Sequence, residues 1–148
     1  MNILKNKVAI VTGGGTGIGK AIAKLFSLEG AKVIIASRNQ ENLVNAVNDI
    51  RQSGNEIIDY YKTDVTNTED VANLFSFVFN KHGSIDVLVN NSGVMDGNPI
   101  DQVSDEQWES VISVNVTGTF KCTREGFKYM KSRGGKIINI GSIAGDSP

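Results

Sequence analysis

Residues 8–19 read Val8-Ala9-Ile10-Val11-Thr12-Gly13-Gly14-Gly15-Thr16-Gly17-Ile18-Gly19. An apolar run leads straight into a turn dominated by glycine. Helical periodicity follows in Ile18, Ala21, Ile22, Leu25 and Phe26. Strand, glycine turn, helix is the arrangement that receives the pyrophosphate of a dinucleotide. Glycines let the backbone approach phosphate oxygens that a β-carbon would hold away. The first helical N–H groups then point at the anion, and the helix dipole favours its charge.

Working outward, strands and helices alternate. Strands are expected over residues 7–11, 32–37, 56–61, 85–90 and 136–140. Gly30 is placed to end the first helix. Leu43, Val47 and Ile50 share a face of the second. Thr66 with Glu69 has the spacing of a capping box, before Val71, Leu74, Phe75 and Val78. Ser104 with Gln107 repeats that spacing before Trp108, Val111 and Ile112. A long helix is expected to carry Val116, Phe120, Thr123, Phe127 and Met130 at helical spacing, broken at Gly134-Gly135. Short apolar strands between amphipathic helices predict a parallel sheet covered on both faces. Right-handed crossovers make it doubly wound, of the Rossmann type. No linker or repeat divides the chain, so residues 1–148 are expected to form one dinucleotide-binding domain.

The composition narrows the partners. A net charge of -1 gives no bulk attraction to nucleic acid or an anionic membrane. The N-terminus has no signal-peptide pattern, and no apolar run reaches the length of a membrane span. Cys122 is the only cysteine, so no intrachain disulfide can form. A soluble cytoplasmic protein is expected. No spacing of histidine, cysteine or carboxylate suggests a metal site.

Gly13, Gly17 and Gly19 have the spacing G-x-x-x-G-x-G, behind Thr12. The general dinucleotide fingerprint is G-x-G-x-x-G. The variant here resembles the short-chain dehydrogenase/reductase family, whose motif is T-G-x-x-x-G-x-G. Thr12, Gly13, Gly17, Ile18 and Gly19 are then cofactor-binding candidates. The resemblance extends along the chain. Asp64-Val65 is similar to the family's adenine-contacting pair, with the carboxylate accepting from the adenine amino group. Asn90-Asn91-Ser92-Gly93 resembles the family's N-N-A-G segment, with Ser92 in place of alanine. It makes Asn90, Ser92 and Gly93 cofactor candidates. Asn115, in Ser-Val-Asn-Val-Thr-Gly, matches the helix asparagine of the catalytic tetrad, which anchors a water in the proton relay. Ser142, in residues 138–145, matches the catalytic serine that holds the substrate carbonyl oxygen.

The cofactor can be argued locally. The residue facing the adenosine ribose lies about 20 positions after the glycine turn. An acid there accepts from the 2′-hydroxyl and repels a 2′-phosphate. This chain has Ser37 followed by Arg38. Serine removes the repulsion, and a guanidinium can grip a phosphate bidentately. NADP(H) is therefore expected over NAD(H). Thr16 departs from the second basic residue that many NADP-using relatives carry in the turn. His82, Cys122 and Trp108 are read as structural.

The family also needs a tyrosine with a lysine four residues later. Tyr60, Tyr61 and Tyr129 have no such lysine. The expectation is therefore an incomplete copy of a longer chain, ending inside a motif at Gly145-Asp146-Ser147-Pro148. It would hold the cofactor half of the fold, Asn115 and Ser142, and would not turn over alone. The expected function is an NADP(H)-dependent oxidoreductase that moves a hydride between nicotinamide and a small carbonyl or alcohol. Its full-length form is expected to be a homodimer or homotetramer. The alternatives are a nucleotide-binding module without catalysis, and an interaction protein with a vestigial glycine turn.

Overall fold

The computed structural model describes residues 2–53 and 57–142. Five parallel strands are β1 (Val8–Thr12), β2 (Lys32–Ser37), β3 (Ile58–Lys62), β4 (Val87–Asn90) and β5 (Lys136–Asn139). They lie in the order β3-β2-β1-β4-β5. The helices are α1 (Gly17–Leu28), α2 (Gln40–Gln52), α3 (Thr68–His82), α4 (Asp105–Ile112) and α5 (Thr119–Met130). Strand side chains alternate between the two faces. Val8 and Ile10 therefore pack with Leu74, Phe75 and Val78 on the α3 face, while Ala9 and Val11 pack with Ala23, Leu43 and Ile50 on the other. The doubly wound α/β sheet is as expected. Strand order reverses between β1 and β4, and such a switch point opens a crevice at the carboxyl ends of the strands.

Several local expectations need correction. β1 begins at Val8 and includes Thr12, β4 begins at Val87, and β5 ends at Asn139. β3 covers Ile58–Lys62, and the expected start at Glu56 lies outside the described residues. The cap of α3 is Asn67, whose side chain accepts from the N–H groups of Glu69 and Asp70; Thr66 is occupied instead with Asp64. The box at Ser104 forms as expected, with Gln107 N–H donating to the serine hydroxyl and Ser104 N–H donating back.

The largest corrections concern helix faces. α1 turns Gly19, Ala23 and Ser27 to the sheet, leaving Ile18 and Leu25 65% and 58% exposed. The long helix starts with a wide π-helical turn, Ser113–Gly118, and its buried line is Val114, Gly118, Cys122, Gly126 and Met130. Val116, Phe120 and Phe127 face out, as does Trp108 on α4. Small residues set these faces because the backbones come close. A β-carbon on Gly126 would sit 3.0 Å from a Leu88 methyl and 3.1 Å from the Phe75 ring. β5 is exposed except at Ile137, so the sheet is not covered on both faces at that edge.

Candidate functional site

A cleft of about 400 Å³ opens at the switch between β1 and β4. Its floor is the glycine turn with the first turn of α1: Gly13, Gly15, Thr16, Gly17 and Ile18. The ends of β2 and β3 supply Ser37, Arg38, Thr63, Asp64 and Val65. The segment after β4 supplies Asn91, Ser92, Gly93 and Val94.

The floor is built by close backbone contact. Gly19 packs under the turn so tightly that a β-carbon there would meet Gly13 O at 2.3 Å. Gly17 has φ +52 and nothing within 4 Å of a built β-carbon, so it borders open cleft. Asn39, Asn67 and Ser104 cap α2, α3 and α4, whereas the Thr16 side chain makes no cap bond at α1. Uncapped donors beside a backbone without side chains fit a phosphate group.

The turn is held from across the sheet. The Thr12 hydroxyl accepts from Asn91 N at 3.0 Å and Ser92 N at 3.1 Å, and donates to Val89 O at 3.4 Å. Asn91 Nδ2 donates to Thr12 O and Gly13 O, each at 3.2 Å. Thr12 and Gly19 thus support the floor from below and do not line the cleft. Asn90 also lies off the cleft wall, 4% exposed, with Nδ2 donating to Thr123 Oγ1 at 3.0 Å and Asn139 Oδ1 at 2.8 Å. Strand alternation could have signalled this, since Asn90 shares the face of Leu88 toward α5. The residue missed in the sequence is its neighbour Asn91, which touches both the cleft and the turn.

Asp64 Oδ1 accepts from Thr66 N at 2.9 Å and Thr66 Oγ1 at 2.8 Å. Partial burial pushes this carboxyl up. The Thr66 bonds and the Arg38 and Lys121 charges outweigh it and hold the group below its ordinary value. Arg38 is exposed, and no hydrogen bond or ion pair engages its guanidinium among the described residues. Val65 is buried against Gly118, whose absent β-carbon would lie 2.7 Å from a Val65 methyl.

Asn115 sits in the π-helical turn. Its Oδ1 accepts from Val94 N at 2.8 Å and its Nδ2 donates to Val94 O at 2.9 Å. It therefore clamps the segment that forms one wall of the cleft. Ser142 is exposed, three residues beyond β5; residues 143–148 of its motif lie outside the described residues. Burial pushes the Cys122 thiol up to about 12, which keeps it an inert core group. At His82, burial and the Lys32 and Lys81 charges push the pKa down despite Asp59, so a charged imidazole is not favoured at that helix end. No metal-binding group of three or more ligands occurs among the described residues, and none of their helices is long and apolar enough to cross a membrane.

The family model described as short chain dehydrogenase matches residues 7–148. The chain belongs to that family. It is 40% identical over 146 residues to an uncharacterized oxidoreductase of Staphylococcus aureus strain USA300, covering 98% of this chain and 62% of the relative. An uncharacterized oxidoreductase of Thermotoga maritima is 44% identical over 141 residues, covering 95% and 55%. A crystal structure of a short chain dehydrogenase from Mycobacterium smegmatis superposes with a TM-score of 0.93 at 35% identity, covering 98% of this chain and 62% of that one. A variant actinorhodin polyketide ketoreductase, crystallised with NADPH, gives 0.91 at 36% identity, covering 95% and 55%. The chain thus spans less than two thirds of the length of these relatives.

Proposed function

We propose that the chain is the dinucleotide-binding domain, residues 1–148, of an NADP(H)-dependent oxidoreductase acting on a small carbonyl or alcohol. One observation carries the cofactor choice: Arg38, whose guanidinium makes no hydrogen bond or ion pair among the described residues, stands beside Ser37 on the cleft wall where a ribose acid would exclude a 2′-phosphate. A relative of similar fold crystallised with NADPH supports it.

The nicotinamide, when bound, supplies the redox chemistry. The chain's own residues hold and orient. The glycine turn and the start of α1 receive the pyrophosphate. Asp64, kept ionised, has Oδ2 available for the adenine amino group, and the Val65 backbone amide faces the ring. Asn115 fixes the Val94 wall through the backbone. Ser142 is the candidate hydroxyl for the substrate oxygen. The 148 residues hold no tyrosine with a lysine four positions later. Ser142 alone is a poor proton source, since a general acid works best with a pKa near the working pH. We therefore assign the 148-residue chain binding without turnover, with the complete enzyme a cytoplasmic homodimer or homotetramer. The second reading is a module that binds nucleotide without catalysis, which the same cleft would serve.

Fluorescence titration of the purified chain with NADPH and NADH tests the cofactor choice. NADPH is expected to bind more tightly, and equal affinities would remove the basis for it. A turnover assay on carbonyl compounds, using the chain extended by a tyrosine-lysine segment and the rest of a relative's fold, separates enzyme from module.

A further inference from the structure

We infer that Asn42 is a second reader of the adenosine 2′-phosphate, acting beside Arg38 to set the preference for NADP(H) over NAD(H). The inference rests on the cofactor reading above and adds a residue to it. Asn42 is in the first turn of α2, and the sequence offers no motif that would single it out. The fold brings it to the cleft wall together with Ser37, Arg38 and Asn39. Gly15 makes the approach possible: a β-carbon there would lie 3.2 Å from Asn42 Cβ and 3.4 Å from Ser37 Oγ. Gly15, Ser37 and Asn42 therefore meet at one corner of the cleft.

The backbone and side chain of Asn42 have separate tasks. Its N–H donates to Asn39 Oδ1 at 3.0 Å, which caps the helix. The carboxamide takes no part in that cap and is exposed, and no hydrogen bond to it occurs among the described residues. It offers two N–H donors. The Ser37 hydroxyl points toward the same corner, donating weakly to Asn39 O at 3.4 Å.

A 2′-phosphate needs these neutral donors. It presents three oxygens that accept strongly. A guanidinium engages two of them in its fork. Among the described residues Arg38 is the only lysine or arginine on the cleft wall, and the turn has Thr16 at the place of a second base. Its charge also acts on Asp64. The third phosphate oxygen is left for Asn42 and Ser37. To a ribose hydroxyl in the same place Asn42 and Ser37 can give only neutral hydrogen bonds, whereas those to a phosphate are charge-assisted, so their contact discriminates between the two cofactors.

The test uses the whole 148-residue chain and four probes: NADPH, NADH, adenosine 2′,5′-bisphosphate and adenosine 5′-monophosphate. Calorimetry gives Kd for the wild type, Asn42→Ala, Asn42→Asp and Arg38→Ala. Asn42→Ala is expected to weaken NADPH and the bisphosphate by about five- to tenfold, and Asn42→Asp by more than about tenfold, with NADH and the monophosphate within about twofold. Both variants keep the Asn39 cap, so their thermal midpoints should match the wild type. Should either unfold, Asn42→Ser replaces it, with an expected intermediate loss. A selective loss with Arg38→Ala, while Asn42→Ala leaves every Kd within about twofold, overturns the role of Asn42 and spares the cofactor reading. Equal losses for phosphorylated and unphosphorylated probes also overturn it. Equal affinity of the wild type for NADPH and NADH, unchanged by Arg38→Ala, overturns both.

Discussion

Arg38 stands exposed at the mouth of the cleft, so its removal should disturb recognition and leave the fold intact. Arg38→Ala is expected to weaken NADPH binding by about 1.5–3 kcal/mol, the range for a hydrogen bond to a charged group, with little effect on NADH. Titration of both cofactors checks this; equal losses mean the guanidinium does not read the phosphate. Gly17 makes a second residue-level prediction. Its φ of +52 disfavours a branched side chain, and a side chain there would project into open cleft. Gly17→Val is expected to abolish NADPH binding. Near-native affinity in a folded variant would argue against this pocket. Asp64 predicts a pH effect. Its pKa is lowered in the folded chain, so its stabilising contribution is full above the unfolded value and lost as pH falls through the folded one. Asp64→Asn should flatten the acid limb of a plot of Tm against pH. An unchanged limb would show that the Thr66 bonds do not favour the ionised form.

At the scale of elements, the helix starts and the buried lines were legible to different degrees. The Ser104 box was readable because both partners sit at a fixed short spacing. The start of α3 was misplaced by one residue because Thr66 and Asn67 can both cap. The fold gives Thr66 to Asp64 and leaves Asn67 for the helix. Asn67→Ala should therefore cost about 0.5–2 kcal/mol in chemical denaturation. Thr66→Ala should leave the helix cap intact. A larger loss for Thr66→Ala would reverse the assignment. The faces of α1 and α5 were misread for one reason. Large apolar residues mark a core only when helix and sheet keep an ordinary separation. Here glycine and alanine permit closer approach, and the bulky residues flank the contact. Gly118→Ala tests this closeness: its methyl would press on Val65, at an expected loss of about 1–3 kcal/mol.

For the whole molecule, the exposed apolar line along Val116, Phe120 and Phe127 and the open edge at β5 have one solution consequence. Large exposed apolar patches and unpaired strand edges promote association. The isolated 148-residue chain is expected to self-associate in sedimentation experiments and to bind hydrophobic dyes. A dilute stable monomer with low dye binding would contradict that. The alternation of apolar strands with amphipathic helices, and the glycine turn after β1, determined the parallel doubly wound sheet and the floor of its cleft. Both signals are local, since strand and helix periods and a short turn are written in consecutive residues. Only the tertiary structure decided which side chains reach the cleft. Asn91 meets Thr12 and Asn42 meets Gly15 because separate elements converge on one sheet edge. It also decided that Asn90 turns away toward α5 and that small residues carry the closest helix contacts. Those outcomes depend on distances between distant segments, which no local spacing encodes.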